Sequence, residues 1–589
     1  MTEKNKPENL ETRRHSAAHV LAAAVQRLYP QARFGIGPAI ENGFYYDFEF
    51  PEPVSDKDLP RIEAGVVKIV GEGTPFAQED ISIAKAKKLF KDQPYKLELI
   101  ADLAKEGETA VSTYKSGEFV DLCRGPHVAD TSQIGTFKLQ KIAGAYWKGS
   151  ETNPMLTRIY GTAFATQEEL DAHLEMLEEA KERDHRKIGR ELDLFSFHPE
   201  APGDVFWHPK GWTIFKELLR YWRDIHEREG YLEVRTPELL TRQIWDQSGH
   251  TEFFLEKMYR VTTPGAEEWD MAVKPMNCDG GILIYKSQPR SYKEFPLYMG
   301  ELGVVHRYES SGELHGILRP REFTQDDAHL YCTPDQVKAE LKRVIDLCFE
   351  IYQTCGLELD RLELSTRPEG SIGSDEIWEQ AESIMREVLA ENEIPHQINE
   401  GDGAFYGPKL DFHLKDSLGR TWQCGTIQLD FAQPENFDLK YTTAEGTKER
   451  PVMIHRTIYG SIERFLGILI ESTAGAFPVW LAPTQVIIIP ISEKQNGYTQ
   501  IVAEELREVE NPTGPLRVEI DESSETLEKK IRRAQLAKIP YMLVVGGREE
   551  AAGDEVSVRL RSGEDLGALK ISKVKRRLTE KIKDREAKL

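Results

Sequence analysis

The sequence predicts a multidomain protein that combines α+β and α/β folding units. Three observations predict it. A chain of 589 residues is too long for one hydrophobic core and points to about three or four domains. Short apolar strand signals alternate with helical patterns at its C-terminal end, as a helix-covered sheet requires. From Arg307 to Cys332 a strand-loop-strand pattern packs charged, aromatic and metal-ligating residues together.

Residues 1–165 open with an alanine-rich helical pattern, HSAAHVLAAAVQRLY, and continue through aromatic strand signals such as IGPAIENGFYYDFEF, which together describe a compact α+β unit. Thr166 and Glu169 then form a capping-box signature ahead of Leu170, Leu174 and Leu177, so residues 166–185 read as a linker helix. The next region, 186–482, carries a long helix from Trp212 to Gly230 and a strand ending at Pro237. In it MNCDGG puts Cys278 in a glycine-containing turn, and GVVHRYE and FTQDDAHLY alternate as half-buried strands around the loop SSGELHGILRPR. HRTIYGSIERFLGILIE puts His455 near the start of an apolar-periodic helix with Ser461 and Arg464. After WLAPTQ, residues 483–589 alternate VIIIPI, IVAEELREV, LRVEI, TLEKKIRRAQLA and YMLVV, a small α/β domain with a mostly parallel sheet.

Composition limits the class of function. With 40% hydrophobic and 30% charged residues the chain reads as soluble and globular. No apolar run approaches the ~20 residues that span a bilayer, and MTEKNKPENLETRRHS lacks the apolar core of a signal peptide, so a cytosolic protein is expected. Six scattered cysteines without CxxC pairs fit a reducing compartment. A net charge of −23 disfavours a general nucleic-acid binder. The basic runs KKIRRAQLAK and KISKVKRRLTEKIKDREAKL would ordinarily be solvated helix faces, yet they leave local RNA contact open.

Side chains two apart on a strand share a face, so Arg307 pairs with Glu309 and Gln325 lines up with Asp327 and His329. An Arg beside a Glu is as readily an ordinary ion pair. Three polar side chains in a row between Phe323 and Leu330 are costly to bury unless something polar lies against them. Cys278, His329 and His455 are far apart in sequence, unlike the close ligand pairs of structural zinc modules. One Cys and two His leave a coordination position open, although singly each also reads as a buried thiol or a satisfied core histidine. Near the N-terminus His15 and His19 share a helix face, and CRGPH supplies Cys123 and His127. That set is compatible with a four-ligand zinc site, a metal-free hydrolytic pocket, or a mere surface histidine pair.

RYESSG resembles motif 2 of class II aminoacyl-tRNA synthetases, GSIERFLG resembles motif 3, and YLEVRTPEL, with Pro237, resembles motif 1. With MNC, QDDAH and HRTIYGS in order, the chain resembles the threonyl-tRNA synthetases over nearly its whole length. The resemblance implies a class II antiparallel-sheet catalytic core at 186–482, an N-terminal editing domain at 1–165 and a C-terminal anticodon-binding domain at 483–589. It implies a homodimer joined through motif 1, and L-threonine, ATP with Mg2+ and tRNA(Thr) as partners, with no membrane. Arg307 would take the α-phosphate and the amino-acid carboxylate and Arg464 the γ-phosphate, these two being the catalytic pair. Glu309, Arg319 and Gln423 would contact ATP and Phe323 would stack on the purine.

A single zinc per subunit on Cys278, His329 and His455 would select threonine by its amino and hydroxyl groups, because an apolar pocket cannot strongly reject the isostere valine. Gln325, Asp327, Tyr406, Lys409, Thr426, Gln428 and Ser461 would line the substrate pocket. Serine differs by one methyl, worth only ~1–3 kcal/mol, so a second, hydrolytic site is expected. His15, His19, Lys96, Asp121, Cys123 and His127 would form it, and the resemblance favours the metal-free reading there. Arg561 and Arg559 in VSVRLRSGEDLG would read the anticodon.

Two departures stand out. Asp279 and Gly281 occupy positions where the family usually has Pro and His, which bears on the wall beside Cys278. Many family members also place a small ubiquitin-like domain ahead of the editing domain, and His15 leaves no room for one. A synthetase-like RNA binder without catalysis would need neither the arginines nor the zinc trio, and prolyl or seryl synthetases do not explain that trio together with the N-terminal module.

Overall fold

The computed structural model describes residues 7–40, 42–150, 152–416, 419–509 and 514–589. It divides into two compact units, Met1–Glu178 and Glu179–Leu589.

The first unit is α+β. Its leading helix, Pro7–Leu28, buries Ala17, Ala18, Val20, Leu21, Ala22, Ala24 and Val25 almost completely. Small alanines let this helix lie close against the helix Leu59–Glu72 and an antiparallel sheet whose long strands are Gly43–Glu49, Met155–Phe164 and Thr136–Tyr146. A second, three-stranded antiparallel sheet follows the order Phe76–Ser82, Ala110–Ser116, Phe119–Leu122. The helix Gln167–Arg183 begins with the expected capping box: Glu169 N–H donates to Thr166 Oγ1 at 3.2 Å and Thr166 N–H donates to the Glu169 carboxylate at 3.2 Å. The division between the two units falls inside this helix.

The second unit is built on an eight-stranded sheet. Its central strands Leu297–His306, Glu322–Cys332, Val452–Thr457, Thr421–Asp430 and Lys409–Lys415 are neighbours in that order and antiparallel throughout. Short parallel strands close both edges. The helices Val337–Thr354 and Ile462–Thr473 cover the sheet with apolar stripes. The final region adds a five-stranded sheet that is half parallel and half antiparallel, because Glu555–Leu560 and Asp565–Lys570 form a hairpin on its edge. The mostly parallel sheet expected from the alternation is therefore mixed; the four-residue turn between the hairpin strands leaves no room for a crossover helix. One continuous apolar core runs from Ile188 through Trp480 to Ile582, which is why this region and the preceding one form a single unit. Arg517 reinforces that junction, donating to Trp480 O at 2.8 Å and to Glu217 at 2.9 Å.

Four local assignments differ from expectation. The helix expected from Trp212 to Gly230 is Pro209–Arg228, and the strand expected to end at Pro237 is the short Leu232–Glu233. Leu297–His306 ends one residue before Arg307, so Arg307 and Glu309 lie in the loop beyond the strand. Cys278 is the first residue of a helix, Cys278–Lys286, not part of a turn, since Asp279 and two glycines begin a buried apolar helix. His455 sits on the strand Val452–Thr457, and the helix starts at Ile462 after Ser461. Among the described residues no helix is long and apolar enough to cross a membrane.

Candidate active sites

A cavity of about 530 Å³ opens over the central strands of the larger sheet. Arg307 and Arg464 both line it. Arg307 donates through Nε to Pro275 O at 3.1 Å and lies over the rings of Phe254 and Phe323, at 5.6 and 5.2 Å. Burial, with Arg464 nearby, lowers its affinity for its proton. Arg464, in the first turn of the helix capped by Ser461, donates to Leu318 O at 2.9 Å and to Gln423 O at 2.7 Å. Two half-buried guanidinium groups facing one cavity suit it to an anion. Glu309 takes Lys257 at 2.8 Å and Arg319 at 3.0 Å, a network that holds the loop on one rim.

The backbone behind Arg464 is held by buried carboxylates. Asp326 accepts from Ile458 N–H at 2.9 Å and Gly460 N–H at 3.0 Å, and Glu463 accepts from Thr324 N–H at 3.0 Å. Ser461 lines the cavity, but its hydroxyl accepts from Arg464 N–H at 3.0 Å as the helix N-cap.

Cys278, His329 and His455 come together although they are remote in sequence. Their ligand atoms all lie within 4.8 Å of one another and all three residues are buried. Antiparallel pairing places His329 directly opposite His455. His455 Nε2 donates to Asp430 at 2.8 Å, leaving Nδ1, while His329 Nε2 is buried without a hydrogen-bond partner. Burial, with His455 and Arg456 nearby, keeps His329 neutral, and burial raises the Cys278 thiol well above its ordinary range. A neutral imidazole with an unpaired nitrogen, a second imidazole oriented by a carboxylate and a buried thiol fit a zinc ion, whose charge would reverse the thiol's preference. Asp327 borders the trio, accepting from Asn277 at 3.3 Å, and burial raises its carboxyl to about 6. Asp279 is also buried, 3.3 Å from His250, and burial raises it to about 8.

Across the cavity Asp411 organises the polar wall. It lies 2.9 Å from Lys409, and its Oδ1 accepts from Gln423 at 2.6 Å and from Thr426 at 3.0 Å. Burial works against the Lys409 ammonium, but Asp411 and Asp402 outweigh it and hold the proton. Tyr406 donates to Gln428 at 2.6 Å. Asp411 and Asp430 were not singled out from sequence, although the strand spacing of Lys409 and Asp411 on one face was a readable signal. Lys257 and Phe254 carried none.

The first unit holds a second cavity, of about 290 Å³, lined by His15, His19, Tyr46, Lys96, Asp121 and Cys123. The buried Asp121 carboxylate takes Lys96 at 2.6 Å and the Tyr46 hydroxyl at 2.6 Å. Tyr46 was missed because it sits among four aromatic residues in FYYDF and looks like core. Cys123 Sγ lies 3.3 Å from His15 Nε2 and 3.2 Å from His127 Nε2, and the three ligand atoms cluster as a metal set would. His127 is behind the cavity wall, stacked on Phe76 at 4.7 Å. Burial lowers His19 to about 4 and raises Cys123 to about 11, so both are held neutral beside the Lys96–Asp121 ion pair.

In the last region Arg559 is exposed and paired with Asp565 at 2.9 Å. Arg561 is not free: it donates to Phe477 O at 2.5 Å, Lys538 O at 3.1 Å and Ala476 O at 2.5 Å, tying this region to the segment before it.

Comparison with known proteins is consistent along the chain. Residues 259–473 match the class II tRNA synthetase core domain (G, H, P, S and T), 485–581 an anticodon-binding domain, and 111–160 the second additional domain of threonyl and alanyl tRNA synthetases. The threonine–tRNA ligase of Clostridium botulinum (strain Langeland) is 52% identical, the alignment covering 97% of this chain and 88% of that one. That of Desulforamulus reducens is 51% identical with the same coverage. A crystal structure of the RNA-binding domain of threonyl-tRNA synthetase from Cryptosporidium parvum superposes with a TM-score of 0.63 and 39% identity, over 67% of this chain and 98% of that one.

Proposed function

The chain belongs to the threonine–tRNA ligase family, and on that premise we propose that it joins L-threonine to tRNA(Thr) through a threonyl-adenylate and hydrolyses Ser-tRNA(Thr) at a second site. The observation that carries the synthetic part is the meeting of Arg307 and Arg464 with the Cys278, His329 and His455 trio around one cavity.

In the first step the threonine carboxylate attacks the α-phosphorus of ATP, a carboxylic–phosphoric mixed anhydride forms, the α–β phosphoanhydride bond breaks, and pyrophosphate leaves. Arg307 steadies the incoming carboxylate and the α-phosphate, and Arg464 steadies the departing end, each with a planar fork suited to phosphate. Arg319, Glu309 and Gln423 orient the nucleotide and Phe323 faces the purine. Magnesium bound with ATP would neutralise part of the triphosphate charge. Cys278, His329 and His455 would hold zinc, which would offer open coordination to the amino and hydroxyl groups that valine and threonine do not share in full. Gln325, Asp327, Tyr406, Lys409, Thr426, Gln428 and Ser461 complete the pocket. The acyl group then passes to the tRNA, displacing AMP.

Within this reading residues 1–165 form the editing domain, 166–185 the linker, 186–482 the catalytic domain and 483–589 the anticodon-binding domain. His15, His19, Lys96, Asp121 and Cys123 form the hydrolytic pocket with His127 supporting it, and His15 orients water. A cytoplasmic homodimer joined through the motif 1 helix completes the proposal.

ATP–pyrophosphate exchange across a panel of amino acids tests it. Exchange with threonine, weaker exchange with serine, and none with valine or proline is expected. Exchange with proline alone would overturn the assignment.

A further inference from the structure

At the end of the linker, the helix His185–Glu191 begins with a histidine that no solvent reaches. His185 Nδ1 donates to Glu471 Oε1 at 2.8 Å, and its own backbone N–H donates to the same oxygen at 3.2 Å. The other oxygen of Glu471 accepts from Arg420 at 2.8 Å. Asp184, His185 and Glu471 have the composition of a metal site, but both Glu471 oxygens are already occupied, and Asp184 caps the helix by accepting from Arg186 N–H at 2.8 Å. The set is built to fix the imidazole.

What the imidazole supports is the turn Gly316–Leu318. A Cβ on Gly316 would stand 2.2 Å from His185 Nε2, so only a glycine, here at φ +54°, lets the turn settle on the ring. The same turn is gripped along the helix Ile462–Thr473. A Cβ on Gly467 would stand 2.7 Å from Leu318 Cδ2, and Leu318 O accepts from Arg464 Nε at 2.9 Å. Thus Glu471 at one end of that helix acts through His185 on Gly316, while Arg464 at the other end takes the carbonyl two residues further on. Arg319 follows directly.

We propose that His185 is a positioning residue for ATP, its ring serving as the pillar that seats the Gly316–Leu318 turn so that Leu318 O aligns Arg464 and Arg319 enters the cavity at the right height. The proposal rests on the reading of Arg464 and Arg319 as ATP contacts. His185 touches no substrate, and it acts through the turn.

The consequence is a split between substrates. His185→Ala should raise KM for ATP in pyrophosphate exchange by about ten-fold while KM for threonine moves little, because the threonine wall hangs from other strands. His185→Asn keeps a donor near the Nδ1 position toward Glu471 but not the ring edge that meets Gly316, and should retain most of the ATP defect. Gly316→Ala should reproduce the ATP defect, and in the His185→Ala, Gly316→Ala double variant the two defects should fall short of adding, since removing the ring makes room for the new methyl. Equal rises in both KM values, or additive defects, would overturn the proposal. If His185→Ala fails to fold, the Gly316→Ala substrate split and its failure to add to the His185→Asn defect decide the matter. Arg464→Ala is the control: if it leaves KM for ATP unchanged, the underlying ATP reading fails, whereas an ATP defect there with none at His185 refutes the pillar alone.

Discussion

His455 Nε2 donates to the buried carboxylate of Asp430 at 2.8 Å, so one imidazole nitrogen of a ring that clusters with Cys278 and His329 is committed. This carboxylate-to-histidine bond sets tautomer and ring orientation before any metal arrives. Asp430→Asn should weaken zinc retention by about 10- to 100-fold, read by competition with a chromogenic chelator. Cys278→Ala should lose stoichiometric zinc altogether; a full equivalent of metal remaining in that variant would exclude the site.

The two cavities should be separable. Replacing His15 and His19 with Ala should abolish deacylation of preformed Ser-tRNA(Thr) and leave threonine-dependent pyrophosphate exchange near the wild-type rate. Unimpaired deacylation would remove the pair from the mechanism, and a parallel collapse of exchange would mean misfolding. The close contacts among Cys123, His15 and His127 make chelation the informative control: deacylation should persist in chelator, and loss restored by zinc would establish a metal there instead.

For the anticodon, Arg559→Ala should raise KM for tRNA(Thr) with little change in exchange, because Arg559 is exposed and held by a single surface ion pair. Arg561 would have to leave three carbonyls to reach a base, so Arg561→Ala should also lower thermal stability. Wild-type KM in the Arg559 variant would refute its role in binding.

Sedimentation at micromolar concentration should find a dimer. Trp212 and Leu232, on and just after the motif 1 helix, are 42% and 58% exposed, and a second copy joined there would cover them. A monomer would contradict the assignment.

Glu463 supplies a pH test. Burial raises its carboxyl from 4.5 to about 8, so the folded protein binds its proton more tightly than the unfolded chain does. Its contribution is fully present below pH ~4.5 and is lost as pH rises through about 8. Glu463→Gln, which stays neutral, should therefore flatten the fall in melting temperature between pH 5 and pH 8. An unchanged slope would show that Glu463 ionises freely in the fold.

The alternation of strands and helices, the capping box at Thr166 and Glu169, and the ordered motifs were legible because they depend on residues close in sequence, where periodicity and capping act directly. They were sufficient to place the trio Cys278, His329 and His455 among the candidates. They misplaced Arg307 onto a strand and Cys278 into a turn, because where a strand ends or a buried helix begins depends on what packs against it.

The sequence by itself therefore determined the class of fold and the family, and named candidate residues that the structure gathers around two cavities. Tertiary structure decided which polar groups face one another once water is excluded. Asp411 gathers Lys409, Gln423 and Thr426, Asp121 gathers Lys96 and Tyr46, and Arg561 is taken up by carbonyls of distant segments. Such pairings follow from burial, since a desolvated charge must find a partner wherever the fold supplies one, and no local pattern records which partner that will be.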